Sequence, residues 1–329
     1  IDRIKLPSHQ NGFVDQAISY KTYFFEALRL TRNRQYDLIF ASSSRLFTAF
    51  LGRCINIIKN KPFYIDVRDI FVDTMQDIIK RGFIRYPLIL FLKVIENFVF
   101  SRAGNINLIS EGFKPYFFKY SRVRLSFFTN GIDNEFLQLH GSKNIPSDQY
   151  IITYAGNIGE GQGLEKIIPE AAKLLGPEYR FRIIGDGGKK KELSEILVKE
   201  NIKTVELIPP TSRTNLIKYY EESHFLFLHL NNYKAFEKVL PSKIFEYGAT
   251  DKPIIAGVGG FAAKFVKDNL SNFILFSPGD TANLVLQLKE FKFQYHDRIL
   301  FKNKYARDTI NKQMAISIIK TANPDRICP

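Results

Sequence analysis

The sequence predicts an α/β protein built on doubly wound parallel sheets, and three observations carry that expectation. Short apolar runs alternate with longer segments of helical period, the pattern of parallel strands joined by crossover helices. Glycine-rich turns follow directly on two of these runs, at residues 156–163 and 185–188. The stretch 240–260, LPSKIFEYGATDKPIIAGVGG, reads in one pass as loop, helix, apolar strand and glycine turn.

Composition bounds the rest. The chain has 329 residues, 45% hydrophobic and 24% charged, an ordinary globular balance with length for two domains. No signal peptide is visible, and no run of about 18 uncharged apolar residues offers a membrane span. The two cysteines, Cys54 and Cys328, lie far apart, and the five histidines show no metal-ligand spacing. A reduced, cytoplasmic setting is the expectation. Because the chain opens on Ile1 rather than Met, an upstream segment is expected.

The net charge of +14 admits three partners: nucleic acid, an anionic membrane surface or phosphorylated substrates. The cations are scattered in small groups, such as Arg32/Arg34, Arg81/Arg85 and Lys189–Lys191, without a dense tract. That distribution argues against nucleic acid, whose binders gather charge on one element.

In the first half, helices are expected at 20–30, 46–58 and 111–120, and strands at 37–41, 63–67, 106–109 and 124–128. Residues 82–100, rich in Phe, Ile and Leu, fit a buried helix or an amphipathic helix lying on a membrane. Asn130-Gly131 reads as a turn, and 140–148, poor in apolar residues, as a linker. Beyond it, strands are expected at 150–154, 179–184, 204–208, 224–228, 254–256 and 273–276. Helices fit between and after them, at 164–175, 190–200, 215–222, 242–249, 261–268 and 281–291. Residues 295–320 read as helical throughout.

In such sheets ligands bind beyond the carboxyl ends of the strands. Both glycine turns, Pro209-Pro210 and residues 231–240 occupy that edge in the second half. So does the start of the helix at 242, where Pro241 suits the first turn and Ser242 is an acceptable residue beside it. Lys243 falls in that turn, an unfavourable place for a cation unless an anion binds there. Glu246 follows one turn later. Together they suit a sugar nucleotide, with diphosphate on the lysine and helix end and ribose hydroxyls on the carboxylate. Blander readings compete: Lys243, Glu246 and Lys189–Lys191 as solvated surface, and Arg68-Asp69 as a structural ion pair. His224 and His229, flanking a strand, read as core or surface histidines.

At this point the sequence resembles the retaining glycosyltransferases of the two-domain GT-B type, related to glycogen and sucrose synthases. The matching pieces are YAGNIGEGQGLEKIIPEA, RFRIIGDGGKKKEL, VELIPPTSRTNLIKYYEESHFLFL and LPSKIFEYGATDKPIIAGVGG, with DVRDIF, INLISEGF and FFTNGIDNEF in the first half. The PSKIFEY form is most similar to bacterial enzymes adding N-acetyl-L-fucosamine-type sugars in O-antigen or capsule assembly. The resemblance implies two domains facing across a cleft. Residues 1–139 would be an acceptor-side domain lacking its first strand, glycine loop and helix. Residues 140–294 would bind the nucleotide-sugar, and 295–329 would form a helical segment crossing back to the first domain.

The resemblance also assigns roles. Lys243 and Glu246 are the catalytic candidates. Gly156, Asn157, Gly159, Gln162 and Lys243 would hold the donor diphosphate; Gly185, Asp186, Pro209 and Glu246 the nucleoside; and Phe236, Glu237, Lys238, Val239 and Leu240 the sugar. Arg68 and Asp69 are acceptor-side candidates. Many relatives carry two glutamates eight positions apart, the second matching Glu246; here the first falls on Lys238, so either the adjacent Glu237 contributes from a shifted loop or backbone N–H groups of 236–240 hold the sugar. The basic pair of the first glycine loop is here Asn157 and Gln162.

The implied reaction moves a sugar from a nucleotide-sugar, expected to be a UDP-sugar, with retention and no cofactor. No Asp-x-Asp occurs, so a metal-independent site is expected. The implied partners are a lipid-linked oligosaccharide acceptor and the anionic inner leaflet of the cytoplasmic membrane, with no nucleic acid. Two alternatives stay open. A sugar-nucleotide 2-epimerase of the same fold would convert its substrate without an acceptor, and a non-catalytic nucleotide-sugar-binding protein would turn nothing over.

Overall fold

The computed structural model describes residues 1–6, 13–43, 45–79, 82, 85–139 and 149–323; the expected linker, Arg81 and Cys328 lie outside the described residues. The chain divides into two compact units. The first holds Ile1–Ile109, Lys114–Phe128 and Gln313–Pro329, and the second holds Ser110–Phe113 and Thr129–Lys312.

The first unit runs α1 (Phe13–Thr31), β1 (Ile39–Ser43), α2 (Leu46–Lys59), β2 (Phe63–Val67), α3 (Phe71–Ile78), α4 (Arg85–Phe100), β3 (Asn105–Leu108), α5 (Lys114–Phe117) and β4 (Arg124–Ser126). Its strands lie in the order β1-β2-β3-β4, all parallel. Strands β2 and β3 are buried along their whole length, as strands covered on both faces must be. Helix α4 has two apolar faces. Ile89, Leu92, Ile95 and Val99 are buried, while Tyr86, Leu90, Phe91 and Val94 are exposed. The buried side agrees with the buried-helix reading of this segment. Among the described residues no helix is long and apolar enough to cross a membrane.

The second unit runs α6 (Asn134–Leu137), β5 (Tyr150–Asn157), α7 (Leu164–Leu175), β6 (Tyr179–Asp186), α8 (Lys190–Lys199), β7 (Val205–Ile208), α9 (Arg213–Glu221), β8 (Phe225–His229), α10 (Lys243–Gly248), β9 (Ile254–Gly257), α11 (Gly260–Asn269), β10 (Phe273–Phe276), α12 (Thr281–Glu290), α13 (Ile299–Lys304) and the start of α14 (Arg307–Ala322). The six strands are parallel in the order β10-β9-β8-β5-β6-β7. The chain winds outward from β5 to β7, then restarts at β8 on the other side of β5. That reversal is the switch point at which doubly wound sheets bind ligands. The core beneath it includes Ile152, Ile167, Ile168, Phe181, Phe225 and Phe227, each 2% exposed or less. Full burial of such side chains stabilises by roughly 1.5–3 kcal/mol apiece.

At the switch point the sheet opens. Strands β5 and β8 pair only at Ile152↔Phe225 and Thr153↔Leu226, whereas β5 follows β6 through to Asn157↔Asp186 and β8 follows β9 to His229↔Gly257. The N–H of Ala155, released by this splay, donates instead to the buried Tyr247 hydroxyl (3.3 Å).

Three local expectations are corrected. Residues 295–320 are not one helix. The chain is non-helical to Arg298, whose buried guanidinium donates to the carbonyls of Thr250, Lys252, Ser271 and Asn272 and holds it there. Asn130-Gly131 forms no turn, because Ile132 bridges in parallel to Ala306 and Gly131 abuts the Arg307 backbone. The helix expected at 111–120 shrinks to a 3-10 turn, Glu111–Phe113, and the short α5, the turn being held to the second unit by a Ser110 hydroxyl bond to the Lys238 carbonyl (2.6 Å). Ser242 is itself helical, as the expected start at 242 has it, and α10 opens on tight turn bonds from the Ile244 and Phe245 N–H groups to the Pro241 and Ser242 carbonyls.

Candidate functional site

The loop after β5 and the start of α10 meet over the opening between β5 and β8. Gly156 and Gly185 end their strands as register partners, with φ of +148° and +145°. A Cβ on Gly185 would collide with the Gly156 carbonyl, and one on Gly156 would occupy the space of the Lys243 ammonium. Only glycine accepts both the backbone angle and the approach. Lys243 thus lies directly against the backbone of the first glycine turn.

The Lys243 side chain is partly exposed overall, but its ammonium end is deep. It sits over the Tyr154 ring at 5.6 Å, and no carboxylate or carbonyl accepts from it among the described residues. Burial holds the Lys243 ammonium below its ordinary pKa, opposed only by the field of Glu246 one turn on. A desolvated cation lacking an anionic partner is costly to the fold, and an arriving anion relieves that cost.

The polar side chains of the loop are partly engaged with one another. The Asn157 amide donates to the Gln162 side-chain oxygen (3.0 Å), which also accepts the Gly159 N–H (3.3 Å). The N–H groups of Ile158, Gln162 and Gly163 bond the carbonyls of Asp186, Gly159 and Gly159. In this arrangement Asn157 and Gln162, both expected at the diphosphate, bond each other through one N–H and one oxygen. The Glu160 and Gly161 N–H groups find no acceptor among the described residues. Besides shaping the loop through their mutual bond, Asn157 and Gln162 keep side-chain N–H groups that join these two amides and Lys243 as donors.

Glu246 lies 3.4 Å from the Tyr220 hydroxyl, which burial holds in its protonated form. Asp186 is exposed and caps the Gly187 N–H (2.9 Å), and Pro209 is exposed just beyond β7. Phe236, Glu237 and Lys238 fall in a 3-10 turn, Lys234–Lys238, which runs into Val239 and Leu240. The Phe236 ring packs where a Gly161 side chain would begin, so this segment adjoins the glycine loop. The Phe236 and Val239 N–H groups bond the Tyr233 and Phe236 carbonyls.

Arg68 and Asp69 belong to the first unit and are not the ion pair that their adjacency offers. Arg68 bonds Asp66 (3.0 Å) and Ser42 (3.1 Å), whereas Asp69 accepts from the Thr74 hydroxyl (3.2 Å). Burial raises the Asp69 pKa. Among the described residues no three His, Cys, Asp or Glu side chains gather as a metal site.

Several site residues escaped the sequence reading. Glu160 accepts from the Tyr233 hydroxyl (2.6 Å) and pairs with Lys189 (3.1 Å), so Lys189 is not simply solvated. Tyr154, Tyr247, His229 and Asn231 complete the surroundings. Their places, in a strand for Tyr154 and His229, just past one for Asn231 and in α10 for Tyr247, were visible; their partners, up to 92 residues away, were not.

Comparison with known proteins adds the following. Residues 136–304 match the family model "Glycosyl transferases group 1". The putative colanic acid biosynthesis glycosyl transferase WcaI of Escherichia coli K12 is 32% identical over 108 residues, a match spanning 32% of this chain and 26% of that protein. HepE of Anabaena, solved with UDP and glucose, superposes with a TM-score of 0.70 at 16% identity, covering 94% of this chain and 84% of its own. Sucrose-phosphate synthase of Thermosynechococcus elongatus superposes with 0.73 at 14% identity, covering 96% and 82%. At these identities the structural likeness speaks to the fold alone, two parallel α/β units of the GT-B kind.

Proposed function

This chain belongs to the group 1 glycosyl transferases, and on that premise we propose that it transfers a sugar from a UDP-sugar to a lipid-linked O-antigen or capsule glycan, with retention and without a metal ion. One observation carries the reading: the Lys243 ammonium, desolvated and lacking an anionic partner, lies against the glycine turn at the sheet's switch point.

In this reading the donor diphosphate lies on Lys243 and on the Glu160 and Gly161 N–H groups. Charge grows on the departing UDP in the transition state, so donors fixed in advance at that place lower the barrier. Glu246 takes ribose hydroxyls, Gly185, Asp186 and Pro209 flank the nucleoside, and residues 236–240 border the sugar. The acceptor hydroxyl replaces UDP on the same face of the anomeric carbon.

The UDP complex of HepE supports uridine as the base, and the colanic acid relative supports a cell-envelope polysaccharide. N-acetyl-L-fucosamine as the sugar rests on the PSKIFEY resemblance. The exposed apolar side of α4, which carries Lys93, and the net charge of +14 support peripheral docking on an anionic inner leaflet.

The test is thermal stability with UDP, GDP, ADP and CMP, repeated with EDTA and with Lys243→Ala. The expected result is stabilisation by UDP that EDTA leaves untouched and Lys243→Ala removes. Absence of any nucleotide effect sinks the reading, and loss with EDTA sinks its metal-free part.

A further inference from the structure

Three loops at the carboxyl end of the six-stranded sheet meet on one side chain. His229, the last residue of β8, is 2% exposed. Its Nδ1 lies 2.6 Å from the Gln162 carbonyl in the glycine loop, and its Nε2 lies 3.0 Å from the Gly279 N–H in the turn after β10. A carbonyl only accepts and an amide N–H only donates, so Nδ1 carries the proton and Nε2 is bare. Burial lowers the imidazole pKa, with Lys166 acting in the same direction, which agrees with that neutral form.

The path of the ring is built into the sheet. Strand β9 lies between β8 and β10, and its residue in register with His229 is Gly257. A Cβ on Gly257 would strike the imidazole, so the glycine opens the way across β9. The ring is flanked by Phe227 at 6.2 Å and Phe276 at 6.0 Å, nearly parallel to both.

Asn231, just past the end of β8, continues the grip. Its backbone N–H donates to the Gly161 carbonyl (2.8 Å), and its side-chain amide donates to the Glu160 carbonyl. The carbonyls of residues 160, 161 and 162 are thus all drawn toward the end of β8. In a trans peptide the N–H of the next residue points opposite to the carbonyl. Holding the Glu160 carbonyl therefore turns the Gly161 N–H the other way, away from the β8 end.

We propose that His229, with Asn231, is a positioning residue. It locks the glycine loop to the turn after β10 and so aims the loop amides that receive the donor diphosphate. The diphosphate part rests on the function proposed above; the locking part does not.

The experiment measures amide hydrogen exchange of the full chain without nucleotide, alongside UDP affinity, in wild type, His229→Phe, His229→Asn and Asn231→Ala. His229→Phe keeps a ring between Phe227 and Phe276 but loses both hydrogen bonds. It should accelerate exchange in 156–163 and 277–281 together, leave the β6–β7 region unchanged, and weaken UDP about tenfold, or about 1.4 kcal/mol. His229→Asn keeps a donor near the Nδ1 position, so it should restore protection at 156–163 but not at 277–281. Asn231→Ala should loosen 156–163 alone and serves as the test if His229→Phe does not fold.

Unchanged exchange in 156–163 for both Asn231→Ala and whichever His229 variant folds overturns the lock. Uniform loosening of the whole unit overturns it too. A wild type that ignores UDP overturns the functional reading alone, since the exchange results still decide the lock.

Discussion

At the carboxyl end of the four-stranded sheet, Asp66 is 2% exposed and accepts from Ser42, Arg68 and Asn107, while the Asn107 carbonyl oxygen accepts the Phe128 N–H in turn. At the same end of the six-stranded sheet, Lys243 faces a tyrosine ring and a glycine backbone. Both places gather charged and amide side chains after parallel strands. In the first unit those groups satisfy one another, which makes a fastening. In the second a cation is left over and two glycines clear the space beside it, which makes a receptor. The difference lies in the hydrogen-bond accounting, not in residue type, and so it is invisible in the sequence.

The largest expected break of this comparison comes from Asp66→Ala. It orphans buried donors at about 1–3 kcal/mol each, so unfolding stability should fall by about 3 kcal/mol while UDP affinity stays constant. A chemical denaturation curve and a UDP titration check both halves. Lys243→Ala should do the reverse. UDP affinity should drop about 10–100-fold, the worth of a charge-assisted hydrogen bond at about 1.5–3 kcal/mol, with stability unchanged or improved.

A pH series sharpens the same contrast. Burial depresses the Lys243 pKa, and a bound diphosphate raises it again, so binding takes up protons. UDP affinity should therefore decline as pH climbs through the free site's Lys243 range, and this slope should vanish in Lys243→Ala. Calorimetry in buffers of different ionisation enthalpy reads the proton uptake directly.

Lys252 is the internal control. It is 1% exposed, donates to the Glu221 carbonyl (2.8 Å), and is pushed down by burial to about 8 from 10.5. The unfolded chain binds more protons between those values, so Lys252 should add stability as pH rises from about 8 to 10.5. Lys252→Met should remove that increment without touching UDP affinity. The smallest effect is expected from Phe91→Asp on the exposed side of α4, which should reduce pelleting with anionic vesicles while leaving nucleotide binding intact.

How much of this could be read from the chain depends on the range of the forces involved. The strands at 63–67 and 273–276 and the helix at 164–175 keep their expected bounds, because apolar run length and helical period are local signals. The convergence of both glycine turns and Lys243 on one sheet edge was also legible, since alternation of strand and helix dictates it. The availability of individual donors was not. That Asn157 and Gln162 spend one N–H and one oxygen on each other shows only in the fold. Arg298 looks like one more surface cation in a helix until four distant carbonyls claim it. Helix α3 had apolar positions at 71, 72, 75 and 78 and went unread, being two turns long with no side-chain cap.

The two-rung seam between β5 and β8 has a mechanical consequence. It divides the six-stranded sheet into two three-stranded halves, each wound continuously, joined along their length by two pairs of residues. Halves so joined are natural units of separate partial unfolding. Side chains that cross the seam, among them His229 to Gln162, Asn231 to Glu160 and Tyr247 to Ala155, act as stitches. A nucleotide seated over the opening would be one stitch more, so occupancy should register less as a local ordering than as cooperativity, with two halves that loosen independently when empty melting as one when filled.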